Sequence, residues 1–310
     1  MKQILPKDVK YEVKSSYDPV ASIDPEEKLK VKTLDNQAGR IKSEEDFGSS
    51  NIDDVNPLTG PISIETAEPG DVLAVEVEEI DIAPKGHMQL IEGYGLLKEE
   101  VQSPRTKIVP IEDEKAVFSS DLQLDISPMI GSIAVAPAEG SMLSVLAGPT
   151  GGNLDNKDIK KGATVYLPIE VEGADLFLGD VHALMGDGEL CLTGIEIAAH
   201  VTISCSVIKD WDIPRPMVET DRFWETNCYS SPLENAIETA SIDMAHFLSK
   251  RLQVNLGEAV LLMSAVADVR ISQAAPNAAQ DAGASVRVKF PRKYDLRTNN
   301  KASCSAPDCN

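Results

Sequence analysis

The chain has 310 residues, with 50 acidic against 29 basic side chains and a formal charge of −21. It is long enough to bury a substantial core as one large domain or two closely packed ones. That charge repels phosphate backbones and anionic bilayers, which argues against nucleic acid or a membrane as partner. Acids scattered as in Glu44-Glu45-Asp46 and Glu99-Glu100 describe a solvated surface.

Residues Met1 to Asp8 lack the apolar core of a secretory signal, and no later stretch is apolar enough to cross a bilayer. The five cysteines, an odd number, suit a reducing compartment, so a cytoplasmic protein is expected. Cys304 and Cys309 lie in a polar tail, where a bridge or weak metal site is the less favoured alternative.

In chain order, the first landmark is an acidic, Asn-containing stretch from Lys42 to Asn56 that reads as a long loop of the sort that carries function. Leu73, Val75 and Val77 then alternate with Ala74, Glu76 and Glu78, the two-residue period of a half-buried strand. In Gly148-Pro149-Thr150-Gly151-Gly152-Asn153-Leu154-Asp155, paired glycines permit a tight turn. That turn either presents Asn153 and Asp155 to a metal or polar substrate or is satisfied by its own side chains.

The densest group of chemically useful residues follows in Leu178-Gly179-Asp180-Val181-His182-Ala183-Leu184-Met185-Gly186-Asp187-Gly188-Glu189. In extended backbone Asp180 and His182 share a face, and Asp187 and Glu189 share the next one. An imidazole among carboxylates supplies either a base near neutral pH or ligands for a divalent cation that activates water. Zinc or manganese suits a mixed His and carboxylate set, and calcium an all-oxygen one. Glu196, between Ile195 and Ile197, faces away from any core the isoleucines enter, toward a cleft or solvent.

Val201, Ile203, Cys205 and Val207 form a further alternating strand. After Ser231, Ile237, Ala240, Met244, Phe247, Leu248 and Leu252 recur at helical spacing. Asn255 and Glu258 form a capping box for a second helix with Leu261, Leu262 and Val266, so a helical hairpin precedes a last half-buried strand at Val286, Val288 and Phe290. His87, His200 and His246 lack comparable polar neighbours, which leaves a three-histidine zinc site without support. Cys191, in the apolar run Leu190-Cys191-Leu192, reads as buried and inert, with an activated thiol as the alternative. There is no nucleophile elbow, Walker loop, dinucleotide fingerprint or Cys-x-x-Cys pair.

An ordered series of short motifs resembles the acetamidase/formamidase family over most of the chain. It runs through Thr33-Leu34-Asp35 with Gly39, Asn56-Pro57 with Thr59-Gly60-Pro61, and Ala67-Glu68-Pro69-Gly70-Asp71. Pro128-Met129-Ile130-Gly131, Val135-Ala136-Pro137 and Gly151-Gly152-Asn153-Leu154-Asp155 follow. Gly179-Asp180-Val181-His182-Ala183 and Gly186-Asp187-Gly188-Glu189 complete it, with Ser264 to Arg270 similar to a late helical motif. Met185 stands where the family commonly has Gln, Thr66 where it frequently has Gly, and the early His and Trp landmarks are not evident.

The resemblance implies a mainly β fold, with a β-sandwich-like core and additional β-barrel-like and α/β elements, to which the residue spacing above adds the C-terminal helical hairpin. The soft division falls into an N-terminal β-rich part, 1–150, and a C-terminal part, 151–310, that carries the Asp/His cluster. It also implies a homo-oligomer and hydrolysis of formamide, acetamide or a similar small amide. By similarity the polar centre is Asp35, Asn153, Asp155, His182 and Glu189, with Glu65 and Glu196 as further contributors. On this basis Asp35, Asp155 and His182 hold a divalent metal, zinc or calcium, that polarises water, while Glu189, His182 and Glu196 are catalytic and Asn153 and Glu65 bind substrate. The competing expectations are a non-catalytic sandwich that binds calcium or a small ligand, which Met185 favours, and an amidase with Cys191 as nucleophile.

Overall fold

The computed structural model describes residues 1–49, 51–101, 103–274 and 283–295; Cys304 and Cys309 lie outside them. Among the described residues a nine-stranded sheet runs in the order Lys2–Ile4, Lys28–Thr33, Ala199–Ile208, Val72–Ile82, Thr164–Pro168, Met217–Glu219, Phe223–Ser230, Ala284–Pro291, Asp268–Gln273. A six-stranded sheet runs Ala147–Gly148, Gly151–Asn153, Met129–Val135, Leu176–His182, Leu58–Ile64, Ala21–Ile23. A four-stranded meander built on Lys85–Leu90 and Arg105–Glu112 adjoins them. Among the described residues none of the sheets closes into a barrel.

Alternation explains the sandwich. Leu29, Val31, Leu73, Val75, Val77, Val165, Leu167, Val201 and Ile203 of the larger sheet pack against Ile62, Ile64, Ile130, Ile133, Val135, Leu176, Leu178 and Val181 of the smaller one in a single core. That core draws on residues before and after position 150.

The outer face of the larger sheet is covered by helices Leu233–Leu252 and Leu256–Val266. Ala236, Ala240, Met244, Phe247 and Leu248 meet Tyr166, Trp224, Val286, Val288 and Phe290 there. The expected capping box is formed, with the Asn255 side chain accepting from Glu258 N and Glu258 reaching back to Asn255 N. Leu261, expected to pack, is 72% exposed.

Two further expectations change. Strand Ala284–Pro291 is buried on both faces rather than one, because the helices cover Val286, Val288 and Phe290 while Ser285, Arg287 and Lys289 enter a polar network on the opposite side. Residues 264–270 do not continue as a helix. The second helix ends at Val266, and Asp268–Gln273 is an edge strand paired with Ala284–Pro291. No helix among the described residues is long and apolar enough to cross a membrane.

Candidate active site

Residues from far-separated segments meet at one end of the six-stranded sheet. Among its described residues the loop between Thr33 and Leu58 contains a short 3-10 turn, Ile52–Asp54, and it supplies Asn36, Asn51, Ile52, Val55 and Asn56 to the lining of a cavity of about 90 Å³. This is room for a molecule larger than a water. Asn153, Asp180, Glu189, Glu196 and Gln273 contribute polar groups to its lining, and Val145, Ile91, Tyr94 and Leu192 make it partly apolar.

The paired glycines do what their spacing demands. Gly151 and Gly152 have φ of +105° and +123°, and a Cβ on either would lie 2.4 or 2.3 Å from a neighbouring carbonyl oxygen. The turn delivers Asn153 and Asp155, both buried. Three of the acids have left-handed backbone: Asp155 at φ +46°, Asp180 at +55° and Glu189 at +38°. Such conformations cost energy for residues with a Cβ and persist where the surroundings hold them, commonly at functional sites.

Amide side chains hold the carboxylates in place. Asn153 Nδ2 and Gln273 Nε2 each donate to Asp155 Oδ2 at 2.7 Å, and Gln273 Nε2 also donates to Glu189 Oε2 at 2.5 Å. Asn56 Nδ2 donates to Asp180 Oδ2 at 3.0 Å, Ser132 Oγ to Asn153 Oδ1 at 2.6 Å, and Gly194 N to Glu196 Oε1 at 3.0 Å. His182 lies among these acids, its Nε2 3.1 Å from Glu196 Oε1, 3.6 Å from Asp180 Oδ1 and 3.8 Å from Glu189 Oε1. Neither ring nitrogen makes a hydrogen bond, and Asp155 Oδ1 and Glu196 Oε2 are likewise buried without a partner.

Burial disfavours charge on the imidazole, but the Glu196 and Asp180 carboxylates outweigh it and hold His182 well above its ordinary range. Burial pushes Asp155 well above the carboxylate range, reinforced by Glu189 and Asp180. Glu189 rises for the same reason, opposed by His182. Burial also lifts Glu196 to about 8, with His182 opposing and Asp180 adding to the shift.

Asn153, Asp155, His182, Glu189 and Glu196 are therefore brought together. Two expected residues are not. Asp35 uses Oδ1 to accept from Gln37 N at 3.0 Å and Gly39 N at 2.9 Å, closing the turn after strand Lys28–Thr33. It belongs to neither group of ligand atoms that converges among the described residues, Asp155 with Asp180 and His182, or His182 with Glu189 and Glu196. Glu65 is exposed and bonded to Ser22 Oγ at 3.2 Å; it follows strand Leu58–Ile64, whereas Asn56 at the other end of that strand faces the cavity.

Asp187 and Glu189 also part company, because this segment is a turn rather than a strand: Asp187 pairs with Arg287 and Glu189 turns inward. Cys191 is half-buried, outside the cavity lining, with Sγ 3.5 Å from Thr193 O. Met185 is buried and does not line the cavity. His87, read as lacking polar neighbours, is buried with Nε2 3.0 Å from Asn36 Oδ1, and its backbone exchanges two hydrogen bonds with Glu196. Gln273 is a residue the sequence concealed, since it lies just past the motif at Ser264 to Arg270, at the end of a strand that begins inside that motif.

The model of the acetamidase/formamidase family matches residues 14–146 and 143–280. A crystal structure of acetamidase from Bacillus halodurans is 37% identical, covering 94% of this chain and 98% of that one with a TM-score of 0.89. That of a predicted acetamidase/formamidase from Thermoanaerobacter tengcongensis is 34% identical, covering 97% and 99%, with a TM-score of 0.91. A putative formamidase of Schizosaccharomyces pombe is 28% identical over 256 residues, and the match spans 61% of this chain and 61% of that protein. A match along most of the chain, shared with solved structures that superpose over nearly their whole length, leads to one assignment: the chain belongs to the acetamidase/formamidase family.

Proposed function

We propose that the chain hydrolyses the C–N bond of a short linear amide such as formamide or acetamide, releasing ammonia and a carboxylate. The observation that carries this is the buried imidazole of His182 facing three carboxylates, Asp180, Glu189 and Glu196, that line a small, partly apolar cavity, in a chain of this family. A neutral amide needs help both at the carbonyl and at its poor leaving group. Glu189, whose carboxyl burial raises against the opposing pull of His182 and of the hydrogen bond from Gln273, takes the proton of an attacking water in this reading. Glu196, lifted to about 8 by burial, is protonated near neutral pH and suited to give its proton to the departing nitrogen as the C–N bond breaks.

The donor set also fits a divalent cation. Asp155 Oδ1 and both nitrogens of His182 are buried without hydrogen-bond partners, and Asp155, Asp180 and His182 offer ligand atoms within 4.8 Å of one another. These three residues would hold it, and a set containing an imidazole suits zinc better than calcium. When bound, such an ion polarises a carbonyl and lowers the pKa of water. We further propose a homo-oligomer, supported by the exposed Leu256, Val260 and Leu261 of the second helix and Val269 of the adjoining edge strand.

The deciding experiment is ammonia release from formamide, acetamide, propionamide and urea after chelation and resupply of single divalent metals. Turnover of one short amide, lost in His182→Ala and Asp155→Ala, is the expected result. Metal-dependent thermal stabilisation without ammonia from any amide would instead assign the cavity to ligand binding.

A further inference from the structure

A second polar cluster lies outside the cavity, on the side of strand Ala284–Pro291 that faces away from the helices. Arg287 is fully buried there. Its Nη1 donates to Ser272 Oγ at 2.8 Å and its Nη2 to Asp187 Oδ1 at 2.7 Å. Nε lies 3.3 Å from Asp158 Oδ2 and 3.7 Å from Glu225 Oε2, and Lys289 meets the same two acids at 2.5 and 3.0 Å. Two cations thus face Asp158 and Glu225, and a third, Lys157, meets Asp187 Oδ2 at 3.1 Å beside Arg287.

Asp187 is the acid that links this cluster to the cavity. Ser272 immediately precedes Gln273, and Asp187 stands two residues before Glu189. Gln273 and Glu189 are themselves joined at 2.5 Å. Between them Gly188 N donates to Ser272 O, and Ala274 N to Gly188 O, both at 2.9 Å. The bonds close a ring: Arg287, Ser272, Gln273, Glu189, Asp187 and back to Arg287.

We propose that Arg287, acting through Asp187 and Ser272, is a positioning residue that holds Glu189 and Gln273 in register at the cavity. The turn it grips contains Gly186, Gly188 at φ +98° and Glu189 at φ +38°, a stretch with much conformational freedom to lose. A planar guanidinium bonds to two chain segments at fixed angles, which a lysine ammonium does not reproduce. Groups that orient the residues touching substrate matter to rate because small misplacements are costly. The kinetic part of this inference rests on the amide-hydrolysis proposal; the structural part does not.

The test uses Asp187→Ala, Asp187→Asn and Arg287→Lys in the full chain. The Asp187 side chain is 27% exposed, and its removal leaves Arg287 with Asp158 and Glu225, so the fold survives even where Arg287→Lys fails to fold. In Asp187→Ala, kcat for the best amide is expected to fall at least about tenfold with KM within about twofold, and Asp187→Asn, which keeps the acceptor oxygen, to recover most of it. The Gln273 side-chain amide protons, assigned by their loss in Gln273→Leu, are expected to exchange with solvent at least about tenfold faster in Asp187→Ala. Wild-type kcat and wild-type exchange in that variant would overturn the proposal, as would a rate loss that only tracks loss of folded protein. If the wild type releases no ammonia from any amide, the functional proposal falls while the exchange measurement still decides this one.

Discussion

Gly131 shows how tightly the carboxylate cluster is packed. A Cβ at this position would lie 2.8 Å from both Asp155 Oδ1 and Asp180 Oδ2 and 2.7 Å from Asp180 O, so the two carboxylates approach each other only over a bare backbone. Gly131→Ala is expected to destabilise by about 1–3 kcal/mol, the usual cost of overpacking, and to abolish both amide turnover and metal-dependent stabilisation; a calorimetric scan with and without zinc checks it. Thr66 is the opposite case. It sits at φ +67°, a strained conformation for a β-branched residue, which gives a physical reason for glycine to be favoured there. Thr66→Gly is expected to raise the melting temperature slightly and leave activity unchanged, since relief of about 1–2 kcal/mol of left-handed strain exceeds the entropy glycine adds to the unfolded chain. At this scale the sequence exposed His182, Glu189, Asn153 and Asp155, because glycine punctuation marks chain that must turn sharply while presenting polar groups. Asp35 and Glu65 stay outside that group, Asp35 because the backbone of its own turn takes up its carboxylate and Glu65 because it follows the end of strand Leu58–Ile64 away from the cavity.

Elements whose period survives burial on one face were legible: the helix from Leu233, the capped helix after Asn255 and the strands at Leu73 and Val201. Asn255→Ala removes the box that caps the second helix and is expected to cost about 1 kcal/mol in denaturant unfolding. Amide hydrolysis should be unaffected, because both helices pack on the face of the large sheet away from the smaller sheet, where most of the site lies. Strand Asp268–Gln273 was not legible. Val269 is exposed and Ile271 half-buried, so its weak alternation merged with the helical spacing before it. Left-handed backbone hid the site segments in the same way, since alternation predicts facing only where successive residues are extended.

For the whole molecule, the buried ionisable groups set a pH dependence whose sign can be worked out. Asp155, Glu189 and Glu196 have folded pKa values above their unfolded ones, so the folded state binds more protons and stability falls as pH rises from the ordinary carboxylate range toward about 8. His182, also raised, contributes stability below its ordinary range that is lost as pH climbs through its folded value. Asp46, Glu78 and Asp158 are lowered and matter only in acid, while His87, lowered by burial, is the one histidine that opposes the trend as pH rises through its ordinary range, against several raised groups. Chelated protein is therefore expected to melt at progressively lower temperature between about pH 5 and pH 9, and zinc to flatten that slope by replacing protons. Differential scanning fluorimetry across that range decides it, and a melting temperature that rises with pH would contradict the assignment. Light scattering checks the assembly: a mass at least twice 33.4 kDa is expected, falling to one copy in Leu261→Glu.

Sequence alone determined the class of this protein. Hydrophobic period, turn glycines and ordered motifs are local properties, readable without knowing what packs on what, and they yielded a β-rich sandwich with a helical pair and the family to which the chain belongs. Only the tertiary structure decided which acids meet. Asn56, Asp155, Asp180, Glu196 and Gln273 converge from segments over 200 residues apart in the chain, through pairings between strands and a turn tied by Arg287. Such convergence depends on strand register and on left-handed backbone at single positions, where one residue's shift or twist turns a side chain from the cavity to the opposite face.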